Sequence, residues 1–562
     1  MSDTEPIYRK YFSSANLRLA WERVIRSNGR DIKDFFGIKI YSSNLDKNLE
    51  RLSETLIKGD FKPKRPFKYY EPKASKTHRT KSVLYIEDAI VYQAIANIVA
   101  TANYKRLADN NNFVFGSVLH PEVEKGIELL NNPDAEFYFF EYYIPLYNKF
   151  INSVNIEIGN TNIRFKLETD ITGFFDSIPH SKLLMTLNKF GCEPEILDLL
   201  QNCLNVYSGT RDSITPGVGI PQGVAASFFL ANVFLNELDY IISQNGYTYY
   251  RYMDDVRIYE ETEEKLTEVL VLIDNFLKGR ALSLNTKKTS IEEIGADRES
   301  EKLPLLAGYG EMSDKSAEAG TDVSQHAYVT EQSPDNDQGN RYVIKTIAGG
   351  ELIAFCRNEI AEVEKMMLEK FADISKSDFN PRTLVNDDEL KKQIVNIAYR
   401  WRNANSILKE IGAPLLNQDM IPVWLFCVEH FFWKANHFCW NLNQYGANST
   451  ISAKLKDLLP KFKDYEWVRY QILSNMATVQ NFTPSELKEI FRKTKEEPSG
   501  LVRIGYYIIL LKHLNPKHQL FASFRQAIRD DKEHYIKNRL SGFITQDYGN
   551  ENFEEIKYWF GL

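Results

Sequence analysis

The sequence predicts an α+β domain followed by an all-α domain, and three features lead to this prediction. Up to about residue 310, short alternating strand patterns are interleaved with long apolar helices. Residues 311–342 are acidic and poor in apolar side chains. From residue 343 to Leu562, apolar residues recur at i, i+3, i+4 and i+7, which indicates helices in antiparallel pairs, as in a helical-repeat domain.

The length of the chain requires several folding units. A chain of 562 residues is too long for one core, so roughly three or four domain-sized parts are expected. We predict an N-terminal helical segment at 1–60, the α+β part at 61–310, an acidic linker or surface insertion at 311–342, and the helical domain at 343–562.

Composition narrows the class of protein. The five cysteines show no CxxC spacing, so neither a disulfide framework nor a zinc knuckle is expected. The first residues are polar, and we expect no apolar run to approach the ~20 residues that span a bilayer. An unprocessed cytoplasmic protein with no membrane partner is therefore expected. The net charge of −7 does not exclude a nucleic-acid partner, because a total says nothing about local patches.

The first residues of the α+β part are basic. Residues 61–81 contain eight Lys or Arg against one Glu, with four aromatic side chains among them. Such a stretch is typical of a surface where cations meet phosphates and rings stack on bases. A solvated basic loop is the simpler alternative.

Two adjacent aspartates interrupt a β-prone stretch in "YYRYMDDVRIY", residues 249–259. Strand propensity disfavours Asp254 and Asp255 there, and their like charges repel. A hairpin turn would explain them, because Asp tolerates unusual backbone angles. A metal site would explain them as well.

Two further segments supply residues that could act together with the paired aspartates. Ile163, Phe165 and Leu167 alternate in a strand pattern that ends at Asp170 and turns into a helix, so a second strand delivers a lone carboxylate. A Gly-Pro-Gln-Gly turn within 217–239 precedes a long apolar helix, where backbone N–H groups are exposed and an amide side chain can meet a nucleotide.

The order of these motifs resembles that of reverse transcriptases. The strand ending in aspartate, "GIPQG", "YMDD", "LSLNTKKT" (282–289) and "LLAGYG" (305–310) look like their successive palm motifs. The basic stretch and "SVLYIEDAIVYQAIANIV" (82–99) are similar to the fingers motifs. The resemblance covers roughly residues 60–310 and implies a right-hand polymerase fold of fingers and palm.

For the paired aspartates, this resemblance implies metal ligands. Asp170 and Asp254 would bridge two Mg²⁺ ions, with Mn²⁺ as an alternative. Asp255 would have a smaller share in the metal coordination. The carbonyl of Ile171 is a further implied ligand. Such ions activate the attacking 3′ oxygen and neutralise the leaving pyrophosphate, and hard cations prefer carboxylate oxygens.

The resemblance also implies residues that bind the nucleotide. Phe175 matches the steric gate that excludes a ribose 2′-OH, and Gln222 would contact the incoming dNTP. Arg79 would hold the triphosphate, with Lys76 and Lys81 as alternatives.

Other positions have two interpretations. Lys288 could donate a proton to the pyrophosphate, with Lys287 as the alternative, although both could be solvated lysines. Asp176 is expected to cap a helix rather than to bind metal. Gly308 matches the primer grip or a plain β-turn.

The helical sequence after residue 343 resembles that of bacterial abortive-infection and defence-associated reverse transcriptases, in which a helical-repeat domain replaces the thumb. This implies antiphage defence, a bacterial cytoplasmic location and a homo-oligomer. It also implies a single-stranded DNA product, an RNA template or non-coding RNA as partner, and untemplated or protein-primed synthesis as options. Candidate primers near the chain ends are Tyr8, Tyr11, Tyr41, Tyr535 and Tyr548.

A function of a different class is the alternative. The palm could bind nucleotide or nucleic acid without turnover, while the helical domain acts as a sensor or scaffold. The joint presence of Asp170, Asp254, Asp255 and Gln222 favours the active enzyme, because a silent site has no reason to keep every ligand.

Overall fold

In a computed structural model, the chain forms two compact units. Unit one comprises Met1–Lys68 and Thr80–Leu306, and unit two comprises Tyr69–Arg79 and Ala307–Leu562. The described residues within them are 5–26, 34–303, 325–331, 341–347, 349–372, 388–514 and 518–540.

Unit one begins with four helices. Leu17, Ala20 and Trp21 follow one another at helical spacing and are buried, which gives the second helix its inward face. Asp34 caps the third helix by accepting a hydrogen bond from the backbone of Gly37. The helices are α1 (Glu5–Tyr11), α2 (Ser14–Arg26), α3 (Phe35–Ser42) and α4 (Leu45–Ile57).

The first two strands form a hairpin within the basic stretch. β1 (Phe67–Pro72) and β2 (His78–Val83) are hydrogen-bonded neighbours. Their ends next to the turn belong to unit two, and their outer ends belong to unit one.

Helices make up most of the remainder of unit one. They are α5 (Ile86–Ala102), α6 (Tyr104–Ala108), a 3₁₀ segment (Pro121–Asn131), α7 (Tyr143–Gly159), α8 (Phe174–Ser177), α9 (His180–Lys189), α10 (Pro194–Tyr207), α11 (Ala225–Gln244), α12 (Glu263–Lys278) and α13 (Arg298–Glu301).

A four-stranded sheet lies among these helices, with the strand order β4-β5-β3-β6. Neighbouring strands are antiparallel, and Leu167 of the third strand lies opposite Ile258 of the fifth. Both side chains are fully buried, and α12 contacts both strands, so this face of the sheet packs on the core. The strands are β3 (Phe165–Asp170), β4 (Thr248–Tyr252), β5 (Asp255–Glu260) and β6 (Ser290–Glu293).

The expectation that no apolar run could span a bilayer is wrong for α11. This helix has 20 residues and enough hydropathy to pass a length-and-composition test. Because 67% of it is buried inside the structure, it has the surroundings of a core helix.

The predicted acidic linker or surface insertion at 311–342 holds the first of two paired strands, and the second strand begins at its end. β7 (Gln325–Glu331) and β8 (Arg341–Ile347) form an antiparallel hairpin, which a plain linker would lack. The predicted boundary at residue 343 falls inside the second of these strands. The "LLAGYG" motif and Gly308 lie outside the described residues.

Unit two is helical after this hairpin. Some consecutive helices contact each other, and several helices contact the helix after next, as layered helical pairs do. A true helical repeat nevertheless stays a prediction. The helices are α14 (Gly349–Lys370), α15 (Asp388–Glu410), α16 (Met420–His430), α17 (Ala435–Asn443), α18 (Ser449–Leu458), α19 (Glu466–Val479), α20 (Pro484–Glu496), α21 (Gly500–His513) and α22 (Leu520–Arg529).

Candidate active site

The paired aspartates lie at the tip of the hairpin between β4 and β5. Met253 and Asp254 form its two-residue turn, and Asp255 is the first residue of β5. Met253 has a φ of 58°, which costs energy for a residue other than glycine but suits the twist of a tight hairpin. Gly116 packs directly on this turn, since a Cβ there would lie 2.5 Å from the nitrogen of Met253. The turn is therefore both strained and tightly packed.

Strand register brings the third carboxylate to the same place. Asp170, the last residue of β3, lies opposite Asp255. Burial raises the pKa of Asp254 to about 6, and the nearby Asp170 carboxylate acts in the same direction. Burial also raises the pKa of Asp255, which Arg257 opposes from 3.6 Å (Nε to Oδ1). These carboxylates repel one another and have acceptor oxygens to offer a cation.

A lysine already contacts this cluster. Lys288 Nζ donates to Asp170 Oδ2 over 2.8 Å. The loop that carries it is fixed to β3, because the Asn285 amide donates to the Asp170 carbonyl over 2.7 Å. Lys287 is exposed, and only its backbone amide is engaged in this loop. Of the two predicted proton donors, the structure brings Lys288 to the aspartates.

The donor set of this site consists of carboxylate oxygens. In the part of the chain that the structure describes, no three His, Cys, Asp or Glu side chains converge into a metal-binding group. The oxygen donors of Asp170 and Asp254 nevertheless suit a hard cation. Burial and, after it, repulsion by Asp170 raise the pKa of Asp254, and a bound cation would offset both effects. Ile171 directly follows the first donor, at the bridge between β3 and the loop of Leu284.

The predicted gate residue lies next to this cluster in the chain. Phe175 is 7% exposed, and its ring packs edge-on against Phe228 at 5.2 Å between centroids. Its carbonyl accepts a hydrogen bond from the amide of Ile220 over 2.8 Å. The expected capping role of Asp176 is wrong: Asp176 lies inside α8, and the residue that precedes this helix is Gly173 with a φ of 54°.

The Gly-Pro-Gln-Gly loop is fastened to its neighbours by backbone bonds. The Gly219 amide donates to the Ile178 carbonyl over 2.8 Å, and the Gln222 carbonyl accepts from Ser82 of β2 over 2.9 Å. The Gln222 side chain is half-buried directly before α11. The structure thus brings Gln222 and Phe175 together through one loop.

A histidine that the sequence reasoning missed holds this loop. His180 is fully buried, and its Nε2 lies 2.6 Å from the Gly219 carbonyl. Its Nδ1 lies 3.2 Å from Asn205 Oδ1, which also accepts from the Gly217 amide. Burial lowers the pKa of His180, against the opposing effect of these hydrogen bonds. The only sequence signal was its place after Pro179, at the start of α9.

The predicted triphosphate ligands are not brought together in one unit. Arg79 belongs to unit two, is 43% exposed and faces Glu71 at 3.7 Å (NH1 to Oε2). Lys81 belongs to unit one and is buried. Lys76 lies in the turn between β1 and β2. A lysine that was not predicted, Lys68, is buried at 5% exposure and donates to the Gly209 carbonyl over 2.6 Å.

The candidate primer tyrosines are mostly inaccessible. Tyr11, Tyr41 and Tyr535 are no more than 5% exposed. Tyr8 is half-buried, and its hydroxyl donates weakly to the Glu195 carbonyl over 3.4 Å. Tyr548 lies outside the described residues.

Comparison with protein families identifies the central part of the chain. Residues 133–316 match the family described as "Reverse transcriptase (RNA-dependent DNA polymerase)". This segment is therefore similar to a reverse transcriptase domain. It contains Asp170, Phe175, Gln222, Asp254 and Lys288, and the basic hairpin precedes it.

Two curated proteins are similar over shorter stretches. An uncharacterized 91 kDa protein in the cob intron of Schizosaccharomyces pombe is 38% identical over 77 residues, which are 14% of this chain and 10% of that protein. The Retron Ec86 reverse transcriptase of Escherichia coli is 26% identical over 145 residues, 25% of this chain and 41% of that protein. The matches thus span a tenth and about two-fifths of these relatives.

Among solved structures, two telomerases are similar at low scores. Apo telomerase from Candida tropicalis has a TM-score of 0.31 and 9% identity, over 73% of this chain and 69% of that one. Telomerase from Candida albicans, in complex with a fragment of telomeric RNA, has a TM-score of 0.30 and 10% identity, over 89% of this chain and 64% of that one.

Proposed function

We propose that this chain is an RNA-directed DNA polymerase. It joins dNTPs at one end of its palm sheet, where β3 ends and β5 begins. One observation carries the proposal. Within the segment that matches reverse transcriptases, Asp170 and Asp255 lie opposite each other on paired strands, and Asp254 precedes Asp255 in the turn. Lys288 contacts Asp170 at 2.8 Å. A cluster of carboxylates with one ammonium group suits phosphoryl transfer, in which positioning and charge supply most of the catalysis.

Asp170 and Asp254 would hold Mg²⁺ or Mn²⁺, with the Ile171 carbonyl and Asp255 as further oxygen donors. When bound, such ions neutralise charge on the reacting phosphate and lower the pKa of the attacking hydroxyl. The support from this chain is electrostatic, because repulsion by Asp170 contributes to the raised pKa of Asp254.

Lys288 would act as the proton donor to the leaving pyrophosphate. Its contact with Asp170 and the bond of its loop to β3 support this role. General acids of this kind contribute typically ~10²–10⁴-fold to a rate. Lys287, exposed on the same loop, lacks such a contact in the described residues.

Phe175 and Gln222 would select the nucleotide. The Phe175 ring is wedged between Phe174 and Phe228, at 5.7 and 5.2 Å between centroids, so it cannot easily turn aside for a 2′-hydroxyl. Gln222 would hold the incoming nucleotide from the adjacent loop. Lys81, which belongs to the same unit, would contact the triphosphate, with the basic composition of its hairpin as the support.

Other parts of the proposal rest on sequence resemblance. They are antiphage defence, a homo-oligomer, a single-stranded DNA product and a non-coding RNA as partner. Protein priming is also part of this group, although the burial of Tyr11, Tyr41 and Tyr535 speaks against these three as primers.

A catalytically silent sensor is the second candidate. The observation in its favour is that the described carboxylates do not form a three-ligand metal group. The ion pair between Lys288 and Asp170 is also compatible with a palm that binds no metal.

The experiment that tests the proposal compares templates. Purified protein is incubated with labelled dNTPs and Mg²⁺ in three arms: an RNA template with a DNA primer, a DNA template with the same primer, and no template or primer. We expect extension on RNA, and none with EDTA. Label that shifts on a denaturing gel after protease treatment would reveal protein priming. A failure to incorporate dNTPs in every arm, with Mn²⁺ as well, would favour the silent sensor.

A further inference from the structure

A buried ion pair lies directly behind the turn that carries Asp254. Arg251 of β4 and Asp239 of α11 are joined by two hydrogen bonds, NH2 to Oδ2 at 2.6 Å and Nε to Oδ1 at 2.8 Å. Both side chains are 1% exposed. Burial alone would lower the pKa of Arg251, but attraction to Asp239 outweighs it and raises the pKa. Two charges so far from water are tolerated only when both are fully bonded.

The third nitrogen of this guanidinium reaches the turn itself. Arg251 NH1 donates to the carbonyl of Met253 over 2.8 Å and to Asn232 Oδ1 over 3.0 Å. All of the arginine's nitrogens therefore have acceptors. One of these acceptors is the carbonyl of Met253, the residue with the left-handed backbone conformation.

Asn232, which accepts a hydrogen bond from Arg251, also binds the segment that packs against the turn. Asn232 Nδ2 donates to the carbonyls of Gly116 and Ser117 over 2.6 and 3.1 Å. Gly116 is the residue whose missing side chain lets the Met253 backbone approach. Backbone bonds between Arg251 and residues 113–115 add to this contact.

We infer that Arg251, with Asp239 and Asn232, is a positioning device that holds Met253 in its left-handed conformation and thereby directs Asp254 toward Asp170. A non-glycine residue at positive φ persists only where its surroundings over-determine it. The guanidinium bond to the Met253 carbonyl and the packing of Gly116 are such surroundings. This inference rests on the proposed function for its catalytic consequence, but its structural part is independent of activity.

The cluster offers a matched control. The Tyr249 hydroxyl donates to Asp239 Oδ1 over 2.8 Å, as Arg251 Nε does. Among the described residues, its side chain makes its hydrogen bond to Asp239 and its ring contact with Phe113, and neither partner belongs to the Met253–Asp254 turn. Tyr249→Phe therefore removes a buried hydrogen bond from the same carboxylate without touching the turn.

The test variant removes both charges together. Arg251→Met with Asp239→Leu keeps apolar volume, and replacing a buried ion pair in this way often preserves folding. Loss of an outer support of this kind typically costs ~10–100-fold in metal affinity or activity. We expect the double variant to fold but to melt below the wild type, because the Met253 carbonyl, Asn232 Oδ1 and the Tyr249 hydroxyl each lose a buried partner. We also expect it to need ~10-fold more Mg²⁺ for half-maximal rate and to lose ~10–100-fold in kcat.

A rescue separates positioning from general damage. Glycine adopts positive φ without support, so Met253→Gly in the double-variant background should recover part of the lost rate and Mg²⁺ affinity. Hydrogen exchange across residues 252–256 should accelerate in the double variant, and Tyr249→Phe should leave it unchanged. If the double variant does not fold, Asn232→Ala, which keeps both charges, takes its place in the same comparison.

The outcomes are distinguishable. A folded double variant with wild-type exchange at the turn, wild-type Mg²⁺ dependence and wild-type rate would overturn the inference. If the wild type itself incorporates no dNTP, the proposed function fails, and the hydrogen-exchange comparison still decides whether Arg251 holds the turn.

Discussion

Asp254→Asn should make the metal-free protein more stable while it abolishes the response to Mg²⁺. The pKa of Asp254 is raised from its ordinary 3.8 to about 6 by burial and by Asp170. The folded state therefore binds a proton at this carboxyl more tightly than the unfolded state does. Its contribution to stability is present at low pH and is lost as the pH rises through about 4 to 6.

The magnitude follows from the size of the shift. A rise of about 2 pKa units at ~1.4 kcal/mol each corresponds to about 3 kcal/mol as an upper limit. Asp254 is partly exposed and shares its charge interactions with Asp170, so we expect about 1–2 kcal/mol at pH 7.5. Asparagine carries no charge and removes this penalty. The expected gain in melting temperature is a few degrees at pH 7.5 and close to zero at pH 4.

The assay is thermal unfolding followed by intrinsic fluorescence, in EDTA and in excess Mg²⁺. At ten times its dissociation constant, a ligand that binds only the folded state adds about 1.4 kcal/mol. We expect this gain in the wild type but not in Asp254→Asn. Asp212→Asn, at a side chain that is 76% exposed, should behave like the wild type throughout. A variant that melts below the wild type in EDTA, or gains equally from Mg²⁺, would refute the reasoning.

Three further substitutions test individual roles. Phe175→Val should raise rNTP incorporation relative to dNTP ~10-fold or more in competition assays, and an unchanged ratio would exclude a steric gate there. Lys288→Met should lower the Mg²⁺ needed for half-maximal rate, because it frees Asp170, yet reduce the maximal rate ~10²-fold or more, whereas Lys287→Met should change neither. His180→Phe, at a residue whose ring is bonded to the Gly219 carbonyl, should raise the KM for dNTP several-fold; an effect on kcat alone would contradict a loop-holding role.

Sequence patterns were sufficient to predict the elements that deliver the aspartates. Alternation in β3 located Asp170 at a strand end, and the β-prone runs on both sides placed Asp254 and Asp255 at a hairpin tip. These features are local, with a period of two residues. The register that sets Asp170 opposite Asp255 depends on pairing across more than 80 residues, which the motif resemblance implied and periodicity could not supply.

The supporting residues lay beyond such reasoning. The bond between His180 and Gly219, and the pair of Arg251 with Asp239, join side chains from different elements. Neither polar contact produces a periodic pattern in the sequence. A buried polar or charged side chain can be predicted only when its partner on the other element is known. The capping role expected of Asp176 was wrong because the chain turns at Gly173, one residue before α8 begins.

Two segments, 311–342 and α11, show how far composition alone can be used. Acidic, apolar-poor sequence at 311–342 predicted a linker or a surface insertion, and β7 of this segment pairs with β8, which begins at its end. Backbone pairing needs no hydrophobic composition, and the more apolar of the two strands, β8, lies mostly beyond residue 342, so the composition of 311–342 did not indicate the pair. Conversely, α11 is apolar enough to resemble a membrane span because it is buried on most of its surface.

The most direct test of the central claim is RNA-templated primer extension by the wild type and Asp254→Asn, purified in parallel and matched by circular dichroism. Both are assayed with an RNA template, a DNA primer, dNTPs and Mg²⁺. We expect the wild type to extend the primer and the variant to give no product above a no-enzyme control. Extension by Asp254→Asn at the wild-type rate would contradict a catalytic centre built on Asp170 and Asp254.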